Sequence, residues 1–445
     1  MLTYTLKKEP GLPLYEALYR CIRQDILTGA LPAGTKLPSK RALAQNLEVS
    51  KITVEGAYGQ LLAEGYIRSR EKVGYFVEQV EQPAPLTAAL QENAVQPEEL
   101  PGGNNRFPFS VWSRLQRQVM LDVAERLLQP LPNQGLLELR RAIALQLAQF
   151  RGMQVKPENI LIGAGTDFLY NLLIQLLGRD KCYCVEEPGY SKIRLIYKAG
   201  GVRCVGAAMD EQGVIPESLS GAQILHISPS HHFPTGIITP PERRQALLHW
   251  AAQAQDRYII EDDYDSEFRF NARPMPAMYS MDSSGSVIYM NTFTKTLATT
   301  IRISYMILPD RLRERFQQEL GFYSCTVPSF EQYTLARFLE QGYFEKHLNR
   351  LRKFYKARRD RVMGALEGQK LTILEENAGL HFLLKVQTQL SDAELNSRCE
   401  DLPVRTLSSY YHDPATVGNT GCLVVNYSNL TDGQLSRLLL ILSQL

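Results

Sequence analysis

The chain has 445 residues, 44% hydrophobic and 22% charged, a balance that suits a globular protein with enough chain for two or three domains. No apolar run approaches the roughly 18 residues of a membrane span, and MLTYTLKKEPGLPLYEAL has no apolar core behind its lysines, so neither a membrane protein nor a signal peptide is expected. Seven irregularly spaced cysteines suit a reducing cytosol better than a disulfide framework, and a net charge of +2 does not mark the whole chain as a polyanion binder.

Charge is nevertheless uneven. Residues 1–80 carry eleven Lys/Arg against eight Asp/Glu, while the remainder carries thirty-eight against thirty-nine. Any nucleic-acid contact is therefore expected near the N-terminus. There, Leu37-Pro-Ser-Lys-Arg41 opens a short helix with Ser39 as N-cap and Leu43, Ala44 and Leu47 on its buried face. Ser50 caps a second helix, whose Val54, Ala57, Tyr58, Leu61 and Leu62 form one apolar stripe and whose first turn exposes Lys51 and Thr53. YIRSREKVGYFVEQ then reads as two short strands around a basic tip with Arg70, Lys72 and Gly74. Two helices and a two-stranded wing make a winged helix-turn-helix, with the second helix entering the major groove and the wing approaching the phosphates. On patterning alone, a structural helical cap with a surface hairpin reads equally well.

The string LPSKRALAQNLEVSKITVEGAYGQLLAEGYIRSREKVGYFV resembles the GntR-type winged helix over almost its whole length. That resemblance implies DNA contacts from Ser39, Arg41, Lys51 and Thr53, with Lys72 and Gly74 at the wing. Lys51 stands where an arginine is common, which keeps a phosphate contact but not a two-point base contact.

Between Val73 and Asn105 there is no Lys or Arg, and Gln79–Asn105 collects Glu81, Glu92, Glu98 and Glu99 with Pro83, Pro85, Pro97, Pro101, Gly102 and Gly103. It reads as a linker. Beyond it, apolar runs at 159–163, 182–187, 222–228, 257–264 and 286–293 alternate with helical patterns, the mark of an α/β fold with a mainly parallel sheet. Cys182 and Cys184 fall in one such run and read as strand residues rather than half a metal site. A Lys/Arg-rich helix, Glu345–Leu366, leads into a smaller α+β segment.

Four patterns in the large domain point to one ligand. Gly163-Ala164-Gly165-Thr166 sits between a strand and a helix, where free backbone amides cradle phosphate. Asp262 and Tyr264 follow a buried strand. In Asn291-Thr-Phe-Thr-Lys-Thr296, Lys295 suits an imine with an aldehyde, and Thr292 and Thr294 suit the attached phosphate. Arg302, seven residues on, would neutralise that phosphate. Taken singly, each has a plain alternative: a helix start, solvated acids, a surface lysine.

Together they resemble the fold-type I pyridoxal-phosphate (PLP) enzymes. By that resemblance Lys295 carries the Schiff base, Asp262 holds the pyridinium protonated and Tyr264 donates to the ring hydroxyl. Arg302, Thr166, Thr292 and Thr294, with the Ala164 and Gly165 backbone, hold the phosphate, and Tyr190 of EEPGY stacks on the ring. His231 and His232 in SPSHHFPTG fall in a ring-contacting loop; His231 is expected near the cofactor, and a purely structural turn remains the alternative.

Over essentially all of its length the chain resembles the MocR regulators. This implies a winged head (1–78), a linker (79–105) and an aminotransferase-like effector domain (106–445) with a mainly parallel seven-stranded sheet and a small α+β subdomain. It also implies a cytoplasmic, head-to-tail homodimer on a double-stranded DNA operator. IIEDDYDSEF, the lysine segment and NAGLHF are similar to GABA-sensing members. Yet Asn429 in VVNYSNL stands at the expected carboxylate arginine, and Lys192 replaces a second arginine after EPGY. Losing such a charged pair costs about 1.5–3 kcal/mol of amino-acid affinity. The expectation is therefore a PdxR-like regulator with PLP as effector, controlling vitamin B6 synthesis. The alternatives are a MocR regulator that senses an amino compound exchanging onto the cofactor, and a working aminotransferase.

Overall fold

The structure is a computed structural model describing residues 4, 13–70, 73–79, 106–270, 275–369, 371–375 and 379–445. The expectations for Lys72 and for nearly all of the linker lie outside these residues. The chain forms two compact units, Met1–Glu99 and Leu100–Leu445.

In the first unit, helices α1 (Leu14–Leu27), α2 (Lys40–Asn46) and α3 (Lys51–Ala63) precede a hairpin of β1 (Ile67–Arg70) and β2 (Gly74–Val77). The strands run antiparallel, with Ile67 opposite Val77. Leu18, Ile22, Leu43, Val54, Ala57, Tyr58, Leu61, Ile67 and Val77 form the buried core. Helix α1 was not expected; its Leu18, Ile22 and Ile26 face this core. Leu62 departs from the expected stripe and is 41% exposed. At about 100° per residue it lies on the edge of the face that Val54, Ala57, Tyr58 and Leu61 centre.

The second unit opens with α4 (Phe109–Val123) and α5 (Leu137–Arg151). Its large sheet is built from β3 (Ile160–Gly163), β4 (Cys182–Glu187), β5 (Arg203–Asp210), β6 (Gly213–Val214), β7 (Ile224–Ile227), β8 (Tyr258–Asp262), β9 (Val287–Thr292) and β10 (Ser304–Ile307). Helices α6 (Thr166–Leu177), α7 (Ser191–Ala199), α8 (Pro241–Ala252) and α9 (Met278–Met281) lie between strands, and α10 (Asp310–Glu319) and α11 (Ser329–Glu340) follow. The spatial order is β3-β10-β9-β8-β7-β4-β5-β6. Pairs among β5, β4, β7, β8 and β9 are parallel, whereas β10 and the two-residue β6 run antiparallel to their neighbours. The expected seven strands are thus extended by an eighth at the edge, too short to leave a pattern in the sequence. Loops leaving the carboxyl ends of β3, β4, β7, β8 and β9 converge on one rim, where open α/β sheets bind ligands.

Helix α12 (Tyr343–Leu366) leads to the smaller subdomain: β11 (Leu371–Leu374), β12 (Phe382–Val386), α13 (Asp392–Arg398), β13 (Val404–Thr406), β14 (Cys422–Val425) and α14 (Asp432–Leu442). Its sheet is antiparallel in the order β11-β12-β14-β13. The strand alternation splits its side chains: Phe382, Leu384, Leu423 and Val425 enter the subdomain core, while Leu383, Cys422 and Val424 pack on the opposite face with Phe233, Leu407 and Tyr410. Among the described residues no helix is long and apolar enough to cross a membrane.

Candidate cofactor and DNA sites

Strand β8 sorts the acids of EDDYD. Glu261 accepts from the Met278 and Tyr279 amides at 2.9 Å each. Asp263 takes Arg151 Nη2 at 2.6 Å, Tyr289 Oη at 2.6 Å and Ser266 Oγ at 2.8 Å. Both are structural. Asp262, between them, points the other way. Its Oδ2 accepts from Tyr170 Oη at 2.5 Å and lies 3.5 Å from His226 Nε2, whose Nδ1 is 2.7 Å from Tyr197 Oη. Burial pushes both tyrosines well above the ordinary phenol range, so they stay neutral partners. Asp262 Oδ1 is buried without a protein partner. A buried carboxylate oxygen in that state suits an incoming N–H, as a protonated pyridine nitrogen would provide.

Tyr264 meets the loop after β7. Its Oη lies 3.2 Å from His231 Nδ1, which is 2.9 Å from Asp265 Oδ2. The Tyr264 phenol is pushed up by burial and by Asp265, Asp262 and Glu186. The His231 ring packs on His381 with centroids 4.7 Å apart. Burial, then His231, His232 and Lys295, hold His381 well below the ordinary imidazole range, so a neutral ring stands near the lysine. The other histidine turns aside: His232 Nδ1 lies 2.6 Å from Thr235 Oγ1. Gly379 has φ +67°, and an added Cβ there would collide with the His231 ring.

Lys295 is exposed in the turn after β9, a turn tied down by His347 Nε2 to Thr296 O at 2.8 Å. Thr292 Oγ1 accepts from Ser304 Oγ at 2.8 Å and donates to Thr294 Oγ1 at 2.8 Å. At the start of α6, Gly165 has φ +88°, and a Cβ there would collide with the Arg302 guanidinium, which therefore lies against the cradle. Thr166 hydrogen-bonds Tyr170. The Ala164 amide departs from expectation: it donates to Thr326 Oγ1 at 3.0 Å and is not offered outward. Tyr190 is 50% exposed and meets Phe233 edge-on, with centroids 6.0 Å apart.

On the expected carboxylate side, neither candidate offers a free cation. Asn429 is exposed in the turn beyond β14. The strand residue packed toward the Phe233 loop is Val424, within an apolar cluster. Arg405, opposite Val424 in register, donates to the carbonyls of Cys399, Leu402, Val404 and Glu400. Lys192 Nζ is paired with Asp167 Oδ2 at 2.7 Å. The sequence reading missed Tyr170, His226, His381 and Asp167, whose partners lie far away in the chain.

In the head, Ser39 Oγ caps α2 by accepting from the Ala42 amide at 3.2 Å, and Ser50 Oγ caps α3 by accepting from the Thr53 amide at 3.1 Å. Thr53 Oγ1 lies 2.8 Å from the same Ser50 hydroxyl, so both serve the helix start. Arg41 and Lys51 are exposed. Lys51 Nζ and Lys40 Nζ lie 3.7 and 3.5 Å from Glu55 Oε1, and Ile52 is 78% exposed on the first turn. Gly74, φ +127°, starts β2 beside the Lys36 side chain.

Residues 14–77 match the family "Bacterial regulatory proteins, gntR family", and residues 98–442 match "Aminotransferase class I and II". The chain is 36% identical to the uncharacterized HTH-type transcriptional regulator YdeL of Bacillus subtilis, over 97% of each protein. It is 33% identical to the probable rhizopine catabolism regulatory protein MocR of Rhizobium meliloti, covering 88% of this chain and 85% of that one. The pyridoxine biosynthesis transcriptional regulator PdxR of Corynebacterium glutamicum is 31% identical, covering 87% and 84% respectively. An archaeal alanine:glyoxylate aminotransferase shares the fold of the large unit, with TM-score 0.68 at 23% identity, over 77% of this chain and 89% of its own. The chain therefore belongs to the MocR-type transcriptional regulators, in which a gntR-family DNA-binding head is joined to an aminotransferase-like domain that uses PLP.

Proposed function

We propose that this regulator responds to PLP itself and controls vitamin B6 synthesis, without catalytic turnover. The observation carrying this reading is a contrast: Asp262 presents a buried, unpartnered oxygen beside Tyr264 and His231, whereas among the described residues neither candidate for the carboxylate side offers a free cation. Lys192 is held by Asp167, and Val424 lies in an apolar cluster. In this reading the site keeps the cofactor's own anchors, while neither Lys192 nor Val424 supplies the paired charge an amino acid's carboxylate needs. The 31% identity to a pyridoxine biosynthesis regulator points the same way.

In this reading Lys295 supplies the amine, Asp262 the charge opposite the ring nitrogen and Tyr264 the partner of the ring hydroxyl. Arg302, Thr166, Thr292, Thr294 and the Gly165 backbone hold the phosphate; Tyr190 and His231 border the ring. The cofactor, when bound, supplies an aldehyde for the lysine and a phosphate for the cradle. Ser39, Arg41, Lys51, Thr53 and Gly74 face DNA. The active form is a cytoplasmic head-to-tail homodimer, and residues 79–105 join its two parts.

Operator binding measured with PLP, and separately with 4-aminobutyrate, alanine or glutamate in the presence of PLP, tests the reading. The proposal expects PLP alone to shift operator affinity, with no keto-acid product from any amino donor. A shift produced only by an amino compound, or steady transamination, would overturn it.

A further inference from the structure

Asp167 stands in the first turn of α6, at the mouth of the phosphate cradle. Its Oδ2 is 3.2 Å from Arg302 Nη2 and 2.7 Å from Lys192 Nζ. Both cations are therefore engaged by one carboxylate. Arg302 is also the guanidinium that lies against Gly165, where a phosphate on the α6 N-terminus would need it. A phosphate arriving there meets a guanidinium already paired and a negative charge already in place.

We infer that Asp167 is a built-in competitor for the cofactor's phosphate. Binding requires Arg302 to pass from Asp167 to the phosphate, while Lys192 stays on Asp167 and offsets part of the repulsion between the two anions. The inference rests on reading this site as a PLP sensor, and it gives that reading a necessary property. A sensor must release its ligand when the concentration falls, and a carboxylate beside the anion lowers affinity without altering the lysine that receives the aldehyde. The replacement of arginine by Lys192 fits the same arrangement, because a compact ammonium serves Asp167 as a point charge rather than gripping a ligand carboxylate at two points.

The test is the affinity of the full chain for three probes: PLP, pyridoxal, which lacks the phosphate, and inorganic phosphate as competitor. Binding is read from the absorbance of bound cofactor and from the mass gained after borohydride reduction. Asp167→Asn is expected to tighten PLP by about 3- to 10-fold at low salt, an effect that shrinks at high salt. Inorganic phosphate should become a better competitor, and pyridoxal affinity should not change. Asp167→Glu keeps the charge and should stay near the wild type, which controls for disturbance of the helix start.

Unchanged or weakened PLP binding in Asp167→Asn, or an equal gain for pyridoxal, would overturn the inference. If PLP tightens as expected but never alters operator binding in any variant, competition at the phosphate stands and the sensor reading falls.

Discussion

Tyr170 Oη donates to Asp262 Oδ2 at 2.5 Å, while Oδ1 of the same carboxylate is buried without a partner. One oxygen is fixed by a neighbour from α6, and the other has the unmet acceptor capacity that the proposed contact with a protonated ring nitrogen needs. Tyr170→Phe keeps the ring packing and removes the donor, leaving a buried acceptor unsatisfied. The expected cost is about 1–3 kcal/mol in thermal or denaturant unfolding, together with weaker PLP binding by absorbance titration.

Gly379 makes room for the ring that partners Tyr264. Gly379→Ala places a methyl in the His231 imidazole at φ +67°. Left-handed backbone alone costs about 1 kcal/mol or more for a residue with Cβ, and His231 must also move. Lower thermal stability and a weaker cofactor complex should appear together; a variant equal to wild type in both would show that the loop has slack.

Glu186 offers a pH signature. Burial pushes its carboxyl up to about 8, and it accepts from the Ser228 amide at 3.0 Å. A carboxyl whose folded value is raised contributes stability that is complete below its unfolded range, near pH 4.5, and is lost as pH rises toward about 8. Glu186→Gln keeps an acceptor and removes the titration. Unfolding free energies of the two proteins between pH 5 and 8 should therefore diverge, with the wild type falling more steeply as pH rises.

At the head, Lys51 and Ile52 occupy the exposed first turn of α3. Lys51→Ala should weaken binding to all DNA sequences alike and reduce the slope of log affinity against log salt by about 1. Ile52→Ala should instead change preference between sequences while leaving that slope intact, because an apolar side chain contacts base edges rather than phosphates. Anisotropy titrations over a salt series distinguish the two.

What the sequence disclosed and what it hid follow one physical rule. Lys295, Thr292 and Arg302 share a short stretch around β9 and β10, and Asp262 and Tyr264 lie at one strand end; each has a plain alternative alone, and their combination within short local segments is what carried the resemblance to PLP enzymes. The partner of Asp262 lies 92 residues away at Tyr170, and Asp167 meets Arg302 across 135 residues. Such pairings arise from strand order, which places β3 beside β10 although they are far apart in sequence. The carboxylate side failed for a register reason: along β14 successive residues alternate faces, and Val424, not Asn429 beyond the strand end, packs toward the Phe233 loop. The edge strand β6 is only Gly213–Val214, too brief for any periodicity.

A regulator that responds to PLP must couple the lysine after β9 to the operator affinity of its DNA-binding head. The direct test of that coupling is the operator affinity of wild type and Lys295→Ala across a PLP titration. The wild-type affinity should change with PLP and level off as the lysine becomes modified, whereas the variant should bind operator at one fixed affinity. An identical PLP response in both proteins, or none in the wild type once its Lys295 is fully modified, would contradict the account.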